Sequence, residues 1–291
     1  MCGGRFPAKT RREPARLCLR AVAVALLAAP AAHASPGDPL PKVASINLCA
    51  DELVLSLAAP EQILSVSWLA ADPEESMLAG EAARYRLNYG SAEEILRLKP
   101  DIVIAGIYTS SFTRSLLKRL GIATLELAPG STLADIEANL RRVGAAIGQR
   151  EHAEALIDGM RKAATRLTAA QPSPPVAGVV VRPGGFTVGK HSLADTLMTL
   201  AGVRNVAAEQ GLDRWGSLSM ETLLRSAPQL LVLTRYRSDE PSLANAVLQH
   251  PAVAAMRTRL ATTDIPAAYW ACGLPASLKS SAELQRAAQA R

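Results

Sequence analysis

The stretch SINLCADELVLSL (45–57) places a cysteine, Cys49, two residues before an acid pair, Asp51 and Glu52, just after a short apolar strand breaks at Asn47. A cysteine there can be a nucleophile, a metal ligand, half of a disulfide or the lip of a pocket. A thiolate mechanism needs a base within hydrogen-bond reach, although a helix N-terminus would lower the thiol pKa. Beyond residue 34 the histidines are His152, His191 and His250, and His191, which follows a glycine-rich turn, is the one suited to a cleft. Bare zinc or manganese wants three or four converging ligands, which Cys49, Cys272, His191 and Asp51 would supply only by accident of folding. Asp51 and Glu52 fit a non-catalytic role as first-turn acids facing the positive end of a helix dipole.

Compartment bears on the cysteines. Residues 1–34 carry Arg5, Lys9, Arg11, Arg12, Arg16 and Arg20 against Glu13 alone, which is +5 of the chain's formal +6. The basicity is therefore local and does not indicate a nucleic-acid partner. A basic stretch, the apolar run AVAVALLAAPAA (21–32) and the A-x-A site Ala32-His33-Ala34 make up a secretory signal. Twelve apolar residues are too few to span a bilayer. The Arg11-Arg12 pair gives only weak support for export in the folded state. Cys2 and Cys18 would leave with the signal, so the mature chain holds Cys49 and Cys272, an even number for an oxidising compartment.

After the signal, apolar strand patterns alternate with helical ones. Strands are expected at VASI (43–46), ILSV (63–66), DIVIA (101–105) and ATLEL (123–127), with a helix beginning near Asp51. A second series has AGVVV (177–181), a helix over 192–201, QLLVLT (229–234) and a final helix after Pro275. Alternation of this kind implies parallel pairing, hence an α/β class of two small lobes with mainly parallel sheets. The pattern divides the chain into a signal (1–34), an N-terminal lobe (42–148), a linker helix (149–171) and a C-terminal lobe (176–291). Ala153, Leu156, Ile157, Met160 and Ala164 lie at helical spacing in the linker, and a single rigid crossing permits only small hinge motion.

An internal echo supports two related lobes. SAEEILRLKPDIVIA from Ser91 and SMETLLRSAPQLLVLT from Ser219 share Ser, Glu at plus two, Leu at plus five, Arg at plus six and Pro at plus nine. Ser91 and Ser219 fit helix N-caps, with Glu94 completing a capping box. Glu93 and Glu221 then occupy equivalent exposed first-turn positions, suited to docking on a twofold partner.

Aromatic residues are few, and Trp68, Tyr85, Tyr89, Tyr108, Phe186, Trp215, Tyr236, Tyr269 and Trp270 fall in segments read as loops, several just after strands. Ligands of open α/β sheets bind beyond the carboxyl ends of the strands, so flat side chains from both lobes suit a large, partly apolar ligand. Arg84, Arg86, Arg182, Arg214, Arg235 and Arg237 share those loops, which favours anionic groups on that ligand. GGFTVGK (184–190) lacks the full phosphate-loop pattern and reads as a hairpin-like turn with positive-φ positions.

Taken together, SINLCADELVLSLAAPEQILSVS, SAEEILRLKPDIVIAG, TLADIEANLRRVGAAIG, PGGFTVGKHSL and RWGSLSMETLLRSAPQLLVLT resemble periplasmic substrate-binding proteins for ferric siderophores, haem and cobalamin, which serve ABC importers. The resemblance spans about Lys42 to Leu278. It implies a non-enzymatic, periplasmic protein that captures a metal chelate between its lobes, with Glu93 and Glu221 meeting arginines of the inner-membrane permease dimer. It implies that residues near Trp68, Phe186 and Trp215 line the cleft, and Trp215 matches a position where cobalamin binders carry a tryptophan. The ligand-binding set expected is Trp68, Tyr85, Tyr89, Tyr108, Phe186, Trp215, Tyr236 and Trp270, with no resident cofactor, no nucleic-acid partner and a monomeric state. The competing classes are a chelatase-like or Cys/His enzyme on a similar two-lobe scaffold and a carrier of bare transition-metal ions.

YWACGLPASL (269–278) should face the cleft opposite Cys49. Three readings of the cysteines stay open: a disulfide across the cleft margin, two thiols contacting a chelate, or two unrelated core residues. The hazard of free thiols in an oxidising compartment favours the first.

Overall fold

The computed structural model describes residues 39–234 and 243–290, and residues 39–291 form one compact unit. The predicted signal (1–34) and Tyr236, Arg235 and Arg237 lie outside the described residues.

The first half runs β1 (Val43–Ser45), α1 (Leu48–Leu57), β2 (Ile63–Ser67), α2 (Ala79–Ala82), β3 (Leu87–Asn88), α3 (Ala92–Leu98), β4 (Ile102–Gly106), α4 (Ser111–Arg119), β5 (Thr124–Leu127) and α5 (Leu133–Ala146). Its five strands form a parallel sheet in the order β3-β2-β1-β4-β5. The 20-residue helix α6 (Arg150–Ala169) leads to the second half. There β6 (Val176–Val181), β7 (Phe186–Val188), α7 (Leu193–Leu200), β8 (Val203–Asn205), α8 (Val206–Glu209), β9 (Trp215–Ser217), α9 (Met220–Arg225), β10 (Leu230–Leu233), α10 (Leu243–Ala246), α11 (Pro251–Arg257), β11 (Ala261–Asp264), α12 (Ala268–Ala271) and α13 (Leu278–Gln289) follow. A second parallel sheet has the order β11-β10-β6-β8, and β7 and β9 form a separate antiparallel ribbon. Every residue of β6 is buried, as an apolar run covered on both faces must be.

The echo is carried into three dimensions. Ser91 and Ser219 each cap a helix by accepting the N–H three residues on, from Glu94 and Thr222. Eight residues past each serine, Lys99 (φ 50°) and Ala227 (φ 46°) adopt the left-handed conformation ahead of Pro100 and Pro228. The strand that follows starts eleven residues past the serine in both copies, at Ile102 and Leu230, and lies inside its sheet between equivalent neighbours.

Three details differ from the sequence reading. Helix α1 starts at Leu48, earlier than Asp51, because the Asn47 side chain accepts from Ala50 N and caps it, so the apparent break is the start signal. Phe186 and Trp215 sit in the paired strands β7 and β9, where loops were expected. The short strands β3 and β11 lie at sheet edges and lack an apolar run to announce them.

The linker helix is more than a rod. Its buried Ala153, Ile157, Met160 and Ala164 belong to a core that also takes in Leu53, Val54 and Leu140 from the first half and Leu193, Leu197 and Leu278 from the second. Gln285 Nε2 on α13 and Gln171 Nε2 after α6 donate to the carbonyls of Leu167 and of Thr199 and Leu200. This continuous packing adds a restraint on relative movement of the halves beyond that of a single helical crossing.

Gln62 fixes where α6 begins. Its buried amide donates to Pro41 O (3.0 Å) and Ile147 O (2.8 Å), while Oε1 accepts from Ala59 N (3.0 Å) and Gln149 Nε2 (2.7 Å). Gln62→Leu leaves those partners unsatisfied and is expected to lower stability by about 3 kcal/mol. Urea denaturation followed by circular dichroism measures it, and a loss below about 0.5 kcal/mol would remove Gln62 from this role.

Candidate functional site

A cavity of about 500 Å³ lies where the carboxyl ends of the two sheets approach each other. From the first half come Cys49 on α1, Tyr108 after β4 and Pro129, Gly130 and Ser131 after β5. The second half contributes Arg182 after β6, His191 and Ser192 before α7, Arg214 and Trp215 at β9, and Trp270 to Gly273 around α12. A smaller cavity of about 210 Å³ continues beneath it along Asn47, Gly106, Tyr108 and Gly273.

Strand ends make this wall for a physical reason. Parallel strands end on one edge, and the loops leaving that edge have no sheet partner, so their side chains are free to meet a ligand. Close approach then needs small residues. A Cβ on Gly273 would stand 2.3 Å from Gly130 O, and one on Gly106 would stand 2.8 Å from Asn47 Oδ1, the atom that caps α1. Glycine at both places lets the halves touch and the helix start.

Cys49 and Cys272 are joined in a disulfide with Cα atoms 5.1 Å apart, and both line the main cavity. The bond ties α1 to the segment before α13, and Thr196 Oγ1 donating to Ser131 O (2.8 Å) ties α7 to the loop after β5. A cysteine spent this way is not a thiolate nucleophile. Among the described residues no three His, Cys, Asp or Glu side chains gather to hold a metal ion.

The aromatic set divides into groups. Tyr108, Trp215 and Trp270 line the main cavity, and Phe186 joins Trp215 in an adjoining pocket of about 290 Å³ with Arg182 and Thr187. Register explains that pair: Phe186 faces Ser217 and Trp215 faces Val188, so the two rings are diagonal neighbours on one face, edge to face at 6.0 Å. Trp68 and Tyr89 line none of these cavities. They stack on each other at 6.4 Å, one residue past the last paired residues Ser67 and Asn88, on the same carboxyl edge of the first sheet. Tyr85 is partly buried against the first-half core. Tyr108 is 79% exposed and Trp215 68% exposed, so the chain itself covers little of either ring.

Among the described residues the cavity lining contains cations and no carboxylate. Arg182 is partly buried, and among the described residues its guanidinium has no hydrogen-bond or ion-pair partner. Burial lowers its pKa from the ordinary arginine value, yet it remains protonated at neutral pH. Arg214 takes φ 53° and is fixed by main-chain bonds of Gly189 N to its carbonyl (2.8 Å) and of its own N to Lys190 O (2.7 Å). His191, also at positive φ (63°), holds Nδ1 2.9 Å from Asp213 Oδ1. That contact lowers the Asp213 pKa and leaves Nε2 as the uncommitted ring nitrogen. The arginines and His191 were legible as cleft candidates; the walls at Pro129–Ser131 and Gly273 carried no sequence signal beyond small residues.

Asp51 lies in the first turn of α1, as expected, and both Asp51 and Glu52 are fully buried. Glu93 and Glu221 are exposed on the first turns of α3 and α9, and Glu221 pairs with Arg225.

Two parallel-sheet halves on one long helix, with a cavity between their carboxyl edges, form a two-lobe scaffold. Residues 43–261 match the family model for periplasmic binding proteins, and the chain belongs to that family. Among solved structures, the periplasmic haem-binding protein RhuT of Roseiflexus sp. RS-1 in apo form superposes with TM-score 0.70 at 21% identity, covering 86% of this chain and 100% of that one. The haem-binding protein HutB of Vibrio cholerae gives 0.70 at 21% identity (86% and 98%), and an ABC-type Fe3+-hydroxamate transport protein of Saccharomonospora viridis gives 0.63 at 20% identity (86% and 93%). No curated protein sequence matches the chain.

The disulfide closes a span of 223 residues, and cross-linking so long a loop contributes about 3–5 kcal/mol by restricting the unfolded chain. The Cys49→Ser/Cys272→Ser variant is expected to lose that much in urea denaturation, and the wild type in excess dithiothreitol to fall to the same midpoint. Equal midpoints for the oxidised wild type and the variant would show that the bond contributes nothing.

Proposed function

We propose that this protein is a periplasmic carrier that captures a metal chelate with an anionic periphery between its two sheets and delivers it to an ABC importer. One observation carries the reading: the main cavity joins the aromatic faces of Tyr108, Trp215 and Trp270 to Arg182 and Arg214, with no carboxylate among the described residues of its wall. Aromatic faces suit a broad, partly apolar ligand, while an unpaired, partly buried guanidinium gains most from a carboxylate or phenolate that the ligand supplies. Haem, a ferric siderophore or a corrinoid presents a broad chelate surface, and the cations favour the acidic members. Trp68 and Tyr89 extend the same rim and, like Phe186 and Tyr236, belong to the proposed ligand-contacting set, with Tyr85 supporting them from the core.

Titrating the chain that begins after Ala34 with haem, cobalamin and several ferric siderophores, followed by tryptophan fluorescence, tests this. One-to-one quenching by at least one chelate is expected, and no response to any of them would end the reading. Arg182→Met is expected to weaken an acidic chelate about tenfold to a hundredfold, the range for one lost charge-assisted hydrogen bond.

Delivery rests on Glu93 and Glu221, exposed acids on the capped helices of the two echo copies, which suit a permease dimer bearing two equivalent basic patches. Glu93→Lys/Glu221→Lys is expected to abolish chelate uptake in cells while leaving solution affinity unchanged. Lost affinity in that variant would argue that the two acids do not serve docking.

A further inference from the structure

Asp51 and Glu52 are adjacent on α1, fully buried, and unused by the cavity just described. Each holds one end of the segment that carries Trp68. Asp51 accepts from Ser67 N (3.0 Å) and from Ser67 Oγ, while Glu52 Oε1 accepts from Ser76 Oγ (2.8 Å) and Met77 N (2.8 Å). Among the described residues Glu52 Oε2 is buried without a hydrogen-bond partner. A buried carboxylate oxygen without a donor is costly when ionised and acceptable when protonated.

Among the described residues no cation pairs with either acid. Strands β1, β2 and β4 and the turn Trp68–Ala71, all packed on α1, carry no ionisable side chain. On α5, Glu137 pairs with Arg141 and Arg161, Arg142 donates to Glu126 O, and Asp135 bonds the N–H of Thr132. His152 meets the far end of α1 at Leu57 O, and the loop itself adds Asp72, Glu74 and Glu75. The charge that bears on Glu52 is that of its neighbour Asp51, another acid, which raises its pKa further.

We propose that Asp51 and Glu52 form a proton-operated latch on residues 67–77, closed when the pair is protonated and loosened when it ionises, so that the Trp68 side of the cleft rim is gated by pH. The part concerning ligand rests on the function proposed above; the latch itself does not.

Burial is the largest influence on both groups, raising Asp51 to about 6 and Glu52 to about 7 in spite of the hydrogen bonds they accept. Opening the loop to water returns each to its ordinary value near 4. Between about pH 4 and pH 7 the closed state therefore holds more protons than the open one. Its advantage is complete below that window and lost as pH rises through it. A carboxyl whose pKa falls by about two units on exposure shifts the opening equilibrium by up to about a hundredfold.

Hydrogen exchange of the Ser67 and Met77 amides, the two that donate to the carboxyls, reads the latch at pH 5 and pH 8 after correction for intrinsic exchange. Wild type is expected to lose at least tenfold protection there while amides of Leu53–Leu57 hold theirs, and Glu52→Gln to show a much smaller loss. Unchanged protection in the wild type, or an equal loss in Glu52→Gln, overturns the latch. Should Glu52→Gln not fold, ¹³C NMR titration of the Glu52 carboxyl carbon in the wild type decides: a midpoint near the ordinary carboxylate value overturns it, and one near neutrality supports it. Haem titration at both pH values adds the ligand arm, in which affinity falls more with pH in the wild type than in Glu52→Gln. Absence of haem binding at either pH counts against haem as the cargo and leaves the exchange result to decide the latch.

Discussion

Everything at the cavity depends on how closely α1 and the segment 271–273 approach. Cys49 and Cys272 are bonded, Gly273 lies flat against Gly130, and Thr196 reaches Ser131 from α7. These contacts join the shared core and α6, about 30 Å long at 1.5 Å per residue, in setting the distance between the two sheet edges. A cavity bounded by such a seam is largely formed before a ligand arrives. Binding then loses less conformational freedom than closure of two independent lobes would require.

The same seam explains which aromatics converge. Tyr108, Trp215 and Trp270 stand next to the disulfide and the glycine contact. Trp68 and Tyr89 stand at β2 and β3, on the side of the first sheet away from β4 and β5, and so meet each other. Distance from the seam along the strand order β3-β2-β1-β4-β5 thus separates a fixed wall from a rim attached through a loop. A ligand broad enough to touch both would have one side held by the linked halves and the other by a segment with its own equilibrium.

Much of the architecture was legible because burial on both faces leaves long apolar runs: β6, β10 and the inner strands of the first sheet were plain in sequence. The Ser91 and Ser219 echo was equally readable, since an N-cap, a first-turn acid and a proline at fixed offsets are local chemistry. Edge strands β3 and β11 were not, being short and half-exposed, nor was the β7–β9 ribbon, whose pairing joins residues about thirty apart. The segment expected to be a signal peptide (1–34) and Tyr236 fall outside the described residues. For the cysteines, sequence could supply the compartment argument but not the 5.1 Å separation that makes a bond feasible.

Asp51 and Glu52 show the limit most clearly. An acid pair at a helix start has a sufficient local explanation in the dipole, and nothing local says which face the helix will bury. Burial follows from tertiary placement: α1 lies against the sheet with the Ser67–Met77 loop folded over its first turns. The one available hint was the serines at 45, 67 and 76, small hydroxyl residues set beside apolar strands and turns where branched aliphatics would otherwise fit. All three prove to be buried. A helix that must expose a cysteine to its partner half and offer carboxyls to a loop cannot also satisfy those carboxyls with cations, because the neighbouring strands are apolar by necessity. The raised pKa of both acids thus follows from where the parallel sheet puts α1, with the loop that carries Trp68 folded over them.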